Sequence, residues 1–315
     1  MRITVIEAGL QTTIQAGARR GMRHLGVPTS GAADALSLAL ANRLLGNDLL
    51  APALEATLVG PVLGFDASIA LALTGGLAKA TLNGEPIEFH RTILVSAGDE
   101  LAIGSVETGT RVYLAFAGGL RASDVLGSVS TYMPARLGGH EGRALVKDDV
   151  LHTQRASLVT DSLRTPEAYR PPITSRWAVR ACRSAETHLL QEKQRDALVD
   201  THWTIGRRAD RMGMQLDGPT LEISSAGRMP SAPVFPGTIQ CPEDGSPFVL
   251  SVDAGTTGGY PRIAQVARMD RHLLGQMRPG DHVRFLPREP QEAIVELRAK
   301  HDYWREWLPG IERVI

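Results

Sequence analysis

The chain has few cysteines, few aromatic residues and no excess of charge. Of its 315 residues only two are cysteine and 5% are aromatic, while 34 basic residues balance 34 acidic ones. Cys182 and Cys241 stand in unrelated contexts without the spacing of metal ligands, so we expect small buried residues rather than ligands or a disulfide. The charge balance provides no basic surface for nucleic acid and no polybasic strip for a membrane.

Long apolar runs and the common catalytic motifs are also absent from the sequence. No window approaches the roughly 18 apolar residues of a membrane-spanning helix. Residues 1–7 are typical of a strand rather than a signal peptide, because Glu7 and Gln11 interrupt the apolar residues. We therefore expect a cytoplasmic protein. The sequence has no GxxxxGKS/T loop for nucleotide phosphates, no HExxH, no CxxC and no GxSxG elbow, and no metal site is predicted.

Glycine and proline, by contrast, are plentiful at 32 and 19 residues, which predicts many turns and therefore many strands. We predict a mainly β protein with a few helices, built as two related β-barrels in tandem. Turn landmarks recur in the same order in both halves: Gly60-Pro61, Gly84-Glu85-Pro86 and Gly98-Asp99, then Gly218-Pro219, Gly245-Ser246-Pro247 and Gly280-Asp281. Chance recurrence of turns is the alternative. The regular succession of apolar runs and turns is lost between residues 156 and 175. This predicts domains at 1–160 and 173–290 and a helical tail at 291–315.

Several individual elements follow from local patterns. Apolar runs at 69–73 and 112–117, ended by Gly75-Gly76 and Gly118-Gly119, predict buried strands. Asn83-Gly84 predicts a hairpin turn between strands at 80–82 and 86–89. Helices are predicted at 33–45, at 186–199, from Asp270 as an N-cap, and from Pro290 to about residue 307.

Two polar loops punctuated by glycine predict a small-molecule pocket. The first is Thr256-Thr257-Gly258-Gly259-Tyr260-Pro261, whose glycines permit close backbone approach and whose hydroxyls donate and accept hydrogen bonds. A tight turn between strands is the alternative. The second, residues 23–34, contains His24, which is more often a hydrogen-bonding loop residue than a general base. Either Ser30 or Asp34 caps the helix that follows this loop, or Ser30 and the helix N-terminus together hold an anionic group such as a carboxylate or phosphate.

Other polar residues allow a structural and a functional interpretation. Asn42 is expected to bridge the first helix and the barrel. Glu55 either occupies a solvated strand edge or lines a barrel mouth. Arg143 is a candidate carboxylate clamp, since a guanidinium binds both carboxylate oxygens at once. Asp210 is expected to form an ion pair with a neighbouring arginine.

Seven segments carry a family resemblance when they are taken together. They are residues 9–15, the loop at 26–32, Leu40-Ala41-Asn42-Arg43-Leu44-Leu45-Gly46-Asn47, Leu54-Glu55-Ala56-Thr57-Leu58-Val59-Gly60-Pro61, residues 113–119, Asp210-Arg211-Met212-Gly213 and Thr256-Thr257-Gly258-Gly259-Tyr260-Pro261. From about residue 10 to residue 285 the chain resembles the KipA-like proteins, also called allophanate hydrolase subunit 2 or the biotin-dependent carboxyltransferase family. The resemblance implies two cyclophilin-like β-barrel domains.

The same resemblance implies a function as the KipA-like C-type component of an ATP-dependent 5-oxoprolinase, a heteromeric hydrolase. The implied reaction converts 5-oxoproline, ATP and water to glutamate, ADP and phosphate. ATP is the implied co-substrate because an unstrained lactam is a poor electrophile until its amide oxygen is phosphorylated. The implied partners are a KipI-like B-type component and a LamB/YcsF-like A-type component.

Within this interpretation the candidate site residues fall into three groups. Candidate catalytic residues are Tyr260, Thr257 and Glu55, with Tyr260 and Thr257 orienting the ring amide. Candidate substrate-binding residues are Ser30, Arg143, Ser128, Thr131, Thr256, Gly258 and Gly259, with Arg143 or Ser30 holding the substrate carboxylate. Candidate structural or partner-supporting residues are His24, Asp34, Asn42, Asp210 and Arg211.

The chain departs from the family pattern at three points, and two other functions compete. Ala16-Gly17-Ala18-Arg19 lacks a carboxylate that family members often have, Gly255 replaces a glutamine, and Thr74-Gly75-Gly76 stands where Thr-Gly-Ala is common. The first two changes affect polar contacts near the predicted pocket, so the sequence also allows a substrate other than 5-oxoproline.

One alternative function is that of a carboxyltransferase acting on carboxybiotin carried by a partner, as in urea carboxylase. The other is a non-catalytic module that binds a KipI-like kinase inhibitor.

Overall fold

The computed structural model describes residues 1–154, 162–223 and 229–315, and these form two compact units. Unit 1 contains Met1–Arg20, Ser30–Ile173 and Trp304–Val314, and unit 2 contains Gly21–Thr29, Thr174–Tyr303 and Ile315. The predicted domain limits did not include Gly21–Thr29 in the second part. A segment of nine residues carries no sequence signal for the distant residues that it contacts.

The described residues of unit 1 include a nine-stranded sheet and an α-helix. The strands are β1 (Arg2–Glu7), β2 (Gln11–Gln15), β3 (Ala53–Thr57), β4 (Val62–Phe65), β5 (Ile69–Leu82), β6 (Glu85–Pro86), β7 (Thr92–Val95), β8 (Glu100–Phe116) and β9 (Val150–His152), and α1 is Ala35–Arg43. Short 3-10 helices occupy Met133–Ala135, Glu167–Tyr169 and Ile311–Arg313. The strand order is β2-β3-β8-β4-β1-β9, with β5 paired to β6, β7 and β8.

The long pair β5 and β8 is buried on both faces over residues 70–76 of β5 and 109–116 of β8. Along β5, Leu71 and Leu73 alternate with Ala70 and Ala72, so the two residue types point to opposite sides of the sheet. The leucines join the main apolar core of unit 1. The alanines share a second cluster with residues of α1, such as Leu38. Their small side chains let the helix approach the sheet closely.

Unit 2 is built on a closed seven-stranded barrel. Its strands are β10 (Arg176–Arg183), β11 (Trp203–Ala209), β12 (Gly213–Asp217), β13 (Ala232–Pro233), β14 (Thr238–Gln240), β15 (Phe248–Leu250), β16 (Thr257–Gly258), β17 (Arg262–Val266) and β18 (His282–Pro287). The barrel order is β10-β17-β14-β15-β12-β11-β18, closed by the parallel pairing of β10 with β18, while β13 and β16 form a separate two-stranded sheet. The other helices are α2 (Glu192–Asp200), α3 (Pro290–Arg305) and the 3-10 helices Arg23–Leu25, Thr187–Leu189 and Arg268–Gln276.

Trp203 fixes one end of this barrel to α2. Its side chain is fully buried, and its indole N–H donates to the carbonyl of Leu198 at 2.9 Å. A Cβ at Gly218 would lie 2.6 Å from the Trp203 ring, so only glycine leaves room for the indole at that position. The apolar ring therefore packs without leaving its polar nitrogen unpaired.

The main features predicted from local patterns are confirmed. The protein is mainly β with few helices, residues 2–7 form a strand, and Asn83 and Gly84 make a turn with φ of 54° and 85°, as a two-residue hairpin requires. The first helix begins one residue after its N-cap, Asp34, whose carboxylate accepts the N–H of Ser37 at 3.0 Å. The C-terminal helix begins at Pro290 and ends at Arg305.

Three predicted boundaries were wrong. Gly75-Gly76 does not end β5, since the register shifts there and the strand continues to Leu82, with a Gly76 Cβ position only 2.9 Å from Val106. The helix predicted from 186 begins at Glu192, because Thr187–Leu189 forms a 3-10 turn. Asp270 is not an N-cap; it lies within the 3-10 helix and accepts the backbone N–H of Arg180 at 2.9 Å.

Within the described ranges, no helix combines the length and the apolar character that a membrane crossing requires.

We predict that truncation of a side chain in unit 1 is strongly destabilising at Leu73 and nearly neutral at Leu94. Leu73 is fully buried, whereas Leu94 on β7 is 69% exposed. Leu73→Ala should lower the free energy of unfolding by about 2–5 kcal/mol through lost burial and a residual cavity. Leu94→Ala, the matched control, should change it by less than about 0.5 kcal/mol. Urea denaturation followed by circular dichroism measures both, and equal effects would contradict the burial of β5.

Candidate functional site

A cavity of about 360 Å³ lies in unit 2 against the outer face of the barrel. Side chains alternate along each strand, so when Met214 and Leu216 of β12 point into the barrel, Gln215 between them points outward. The same alternation on β15 places Phe248 and Leu250 on the outer face, on either side of the buried Val249. The barrel core thus determines which residues line the cavity.

Polar and apolar groups share the lining of this cavity, which we call the unit 2 pocket. It is lined by Arg208, Gln215, Gln240, Pro242, Asp244, Ser246, Phe248, Leu250 and Tyr260. Asp244 Oδ1 accepts the backbone N–H of Ser246 at 2.9 Å. The lining combines one guanidinium and one carboxylate with two carboxamides and an apolar wall. Its volume is within the range of small-molecule sites, which is about 300–1,000 Å³.

The loop that the sequence singled out reaches this pocket through Tyr260. The side chain of Tyr260 is 51% exposed, and its backbone carbonyl accepts a hydrogen bond from Gln240 Nε2 at 3.1 Å. Thr257 is exposed, and Thr257 and Gly258 form β16, which pairs with β13. A Cβ at Gly258 would lie 2.6 Å from Gln240 Nε2, so the glycine allows the loop to lie against this amide. Gly259 lies beside the carbonyl of Met229.

Arg23 holds the other end of this loop. Its guanidinium donates to the carbonyl of Thr256 at 3.2 Å and to that of Val234, and it lies over the Phe235 ring at 4.8 Å from the centroid. Burial lowers the pKa of Arg23. His24, its neighbour, is exposed. The sequence drew attention to His24, whereas the structure shows that Arg23 makes the contacts.

The start of α1 is filled by carboxylates of the protein itself. Glu55 is 1% exposed, and its Oε2 accepts the backbone N–H of Ala33 at 2.9 Å and the hydroxyl of Tyr113 at 2.7 Å. Tyr113 in turn accepts the N–H of Asp34 at 2.7 Å. Burial, and then the charge of Glu55, raises the pKa of Tyr113 well above 10, which keeps the phenol protonated as a donor. Glu55 therefore occupies neither a solvated edge nor an open barrel mouth.

The remaining contacts of Glu55 and Ser30 complete this region. Arg111 Nε lies 3.3 Å from Glu55 Oε1, and both side chains are buried. Ser30 has a positive φ of 48° and is 2% exposed, and its hydroxyl has no hydrogen-bond partner among residues 1–154, 162–223 and 229–315. The anionic group that the sequence analysis expected beside the helix N-terminus is thus a side chain of the chain itself.

Arg143 and the hydroxyl-rich loops of unit 1 are engaged within the unit. Arg143 donates to Asp149 at 2.7 and 2.8 Å and to Glu141 at 2.8 and 3.1 Å. The Ser128 hydroxyl donates to the carbonyl of Gly17 at 2.7 Å, and the Thr131 hydroxyl donates to that of Ile14 at 2.9 Å. Ser128 and Thr131 thus connect the segment after β8 to β2 and the residues that follow it.

Asn42, Asp210 and Arg211 make structural contacts. The amide of Asn42 donates to the carbonyl of Ala51 at 3.0 Å, which joins α1 to the segment before β3. Asp210 accepts the backbone N–H of Met212 at 2.7 Å. The guanidinium of Arg211 binds Asp253 through two hydrogen bonds of 2.7 and 3.0 Å, and the expected pair of Asp210 with a neighbouring arginine stays a prediction.

The family follows from the match to known proteins. The family model described as the carboxyltransferase domain, subdomains A and B, matches residues 25–287. The chain belongs to this carboxyltransferase-domain family. It is 35% identical over 303 residues to the 5-oxoprolinase C-type component of Escherichia coli, covering 96% of each chain. It is also 32% identical over 323 residues to urea amidolyase of Lachancea kluyveri, covering 93% of this chain and 18% of that one.

A solved structure of the same family has the same fold. The crystal structure of the Kluyveromyces lactis urea carboxylase superposes with a TM-score of 0.89 at 29% identity, covering 96% of this chain and 29% of that chain. The carboxyltransferase domain thus occurs both as a protein of this length and as part of larger chains.

Of the residues that line the pocket of this carboxyltransferase-family protein, only Tyr260 was among the predicted site residues. Gln215, Gln240 and Phe248 come from three strands and are brought together by the barrel alone. Arg208 had a signal, since it belongs to a charged segment before β12, but that segment predicted an internal ion pair. Among the described residues, no group of three or more potential ligands could hold a metal ion.

We predict that the Asp149–Arg143 ion pair stabilises the folded protein by an amount that depends on pH. The hydrogen bonds from Arg143 lower the pKa of Asp149 to about 2. A carboxyl with a lowered pKa stabilises the folded state above its unfolded pKa of about 4, and this contribution is lost as the pH falls towards 2. Asp149→Asn should therefore cost about 1–2 kcal/mol at pH 7, and the difference from the wild type should shrink towards zero near pH 2. Urea denaturation across this range measures it; a difference independent of pH would contradict the prediction.

Proposed function

We propose that this chain is the C-type component of a cytoplasmic, ATP-dependent 5-oxoprolinase complex. The observation that carries the proposal is the match to the E. coli C-type component over 96% of both chains. The urea enzymes share this domain as 18–29% of a much longer chain. A likeness that extends over nearly the whole of both proteins favours a stand-alone component of the same kind.

The proposed net reaction opens the lactam of 5-oxoproline. The ring C–N bond breaks, the nitrogen takes a proton and leaves as the amine, and water supplies the new carboxylate oxygen of glutamate. ATP makes this feasible because transfer of its γ-phosphoryl group to the amide oxygen, with release of ADP, makes the ring carbon electrophilic enough for water to add. Loss of the amine then leaves an acyl phosphate, which a second water molecule hydrolyses to glutamate and phosphate. The chain therefore acts as part of a hydrolase, together with a KipI-like B-type component and a LamB/YcsF-like A-type component.

The unit 2 pocket does not suit the triphosphate of ATP. Its described lining has a single cation, Arg208, and a carboxylate, Asp244, within a volume of about 360 Å³. A triphosphate requires several donors or cations around its oxygens. No phosphoryl-transfer step is therefore assigned to the unit 2 pocket.

Carboxyl transfer is the second candidate function, favoured by the TM-score of 0.89 with the urea carboxylase. Under this interpretation Gln215 and Gln240 would pair with the ureido group of biotin, whose ring would lie against Phe248. Carboxybiotin supplies an activated carboxyl group when it is bound. A biotin-bearing partner would then replace the lactam-opening partners.

The test is glutamate release from 5-oxoproline and ATP by this chain co-purified with its KipI-like and LamB/YcsF-like partners. We expect activity with all three chains and a fall to background when this chain is omitted. ATP hydrolysis without 5-oxoproline and a complex supplied with biotin carboxylase and urea serve as controls. A complex that assembles without releasing glutamate would reject the oxoprolinase proposal, and biotin-dependent carboxylation would then support the second candidate.

A further inference from the structure

We infer that the unit 2 pocket binds a small lactam carboxylate, with Arg208 receiving the carboxylate and the carboxamides of Gln240 and Gln215 receiving the lactam N–H and C=O. This assignment rests on the proposed function, and it identifies the chain as the component that binds the substrate. It also moves the carboxylate contact away from Arg143 and Ser30, which the sequence had suggested.

Arg208 is suited to bind a carboxylate because its own unit leaves it available. Its guanidinium lines the pocket and makes no hydrogen bond or ion pair with any residue in the described ranges. Many other arginines already bind carboxylates of the chain; for example, Arg143 binds Asp149, Arg211 binds Asp253 and Arg262 binds Glu186. A guanidinium that lines a cavity without a partner offers the paired donors that a ligand carboxylate accepts.

The orientation of the Gln240 amide follows from its contact with the loop. A backbone carbonyl can only accept, so the group that faces the carbonyl of Tyr260 at 3.1 Å must be the Gln240 nitrogen. The oxygen of the same amide is then an acceptor for a donor on the ligand. A lactam presents one N–H donor beside its carbonyl, and the carboxamide of Gln215 can donate to that carbonyl. The two glutamines together fit the two polar edges of a cyclic amide.

The rest of the lining fits a ring and a single negative charge. Pro242, Phe248 and Leu250 provide an apolar wall for ring methylenes. The described lining contains one cation, Arg208, and one carboxylate, Asp244, so a second anionic group on the ligand would find no counter-ion there. A monocarboxylate should therefore bind better than glutamate, the ring-opened dicarboxylate.

Gly258 and Arg23 position these binding groups without contacting the ligand. Gly258 gives the Gln240 amide its space, and Arg23 ties the carbonyls of Thr256 and Val234. A methyl group at position 258 would displace the amide. At Gly255, in the same loop, a Cβ would lie 3.6 Å from its nearest neighbour, an ordinary contact. Gly255→Ala is therefore a matched control for Gly258→Ala.

The experiment measures binding to the full chain by ligand-observed NMR and calorimetry. The probes are 5-oxoproline, 2-pyrrolidinone, which lacks the carboxylate, and glutamate. We expect the wild type to bind 5-oxoproline more tightly than either of the others. Arg208→Met should weaken 5-oxoproline binding at least about tenfold, or about 1.4 kcal/mol, and leave 2-pyrrolidinone unchanged. Gly258→Ala should weaken both lactams, and Gly255→Ala neither.

The same variants in the reconstituted complex separate this inference from the proposed function. Arg208→Met should raise KM for 5-oxoproline while the KM for ATP stays constant, and thermal unfolding confirms that each variant is folded. An active complex in which Arg208→Met leaves both binding and KM unchanged would overturn the pocket assignment and leave the function standing. A chain that binds 5-oxoproline in an inactive complex would support the pocket and overturn the function.

Discussion

The closed barrel of unit 2 is the constraint on which its site depends. Pairing of β10 with β18 completes the ring of strands, and the ring has one interior to fill. Once Met214, Leu216 and Val249 occupy the interior, the residues between them must face outward. Carboxamides and an aromatic ring from separate strands therefore meet on one outer face. The pocket is a consequence of how the core is packed rather than of a local motif.

Some charged residues of this protein stabilise the fold through internal partners, and others remain available to bind a ligand. Glu55 accepts from Tyr113 and Ala33 in the interior of unit 1, where an unpaired carboxylate would be strongly destabilising. Arg143 and Arg211 likewise direct their donors to carboxylates of the same chain. Charge alone thus does not distinguish a site residue from a structural one; the presence of an internal partner does.

This division explains how far sequence reasoning reached. The β character, the Asn83-Gly84 turn and the helix after Asp34 depend on local residues and were predicted. Glu55 and Arg143 looked available because their partners lie 58 and 6 residues away, at Tyr113 and Asp149, and nothing local indicates such contacts. Gln215 and Gln240 were missed for the same reason, since strand pairing alone brings them together. The loop ending at Tyr260 was recognised, and the structure places that residue beside the pocket.

The segment Gly21–Thr29 belongs to unit 2 although the chain on both sides of it belongs to unit 1. Arg23 from this segment supplies the donors for the Thr256 and Val234 carbonyls. A fragment that starts after residue 173 would contain every strand of the barrel and yet lack this side chain. A single recombination crossover between the two halves of the chain would therefore separate Arg23 from the loop that it holds. Exchange of a complete unit 2 requires Gly21–Thr29 to be inherited together with residues 174–303.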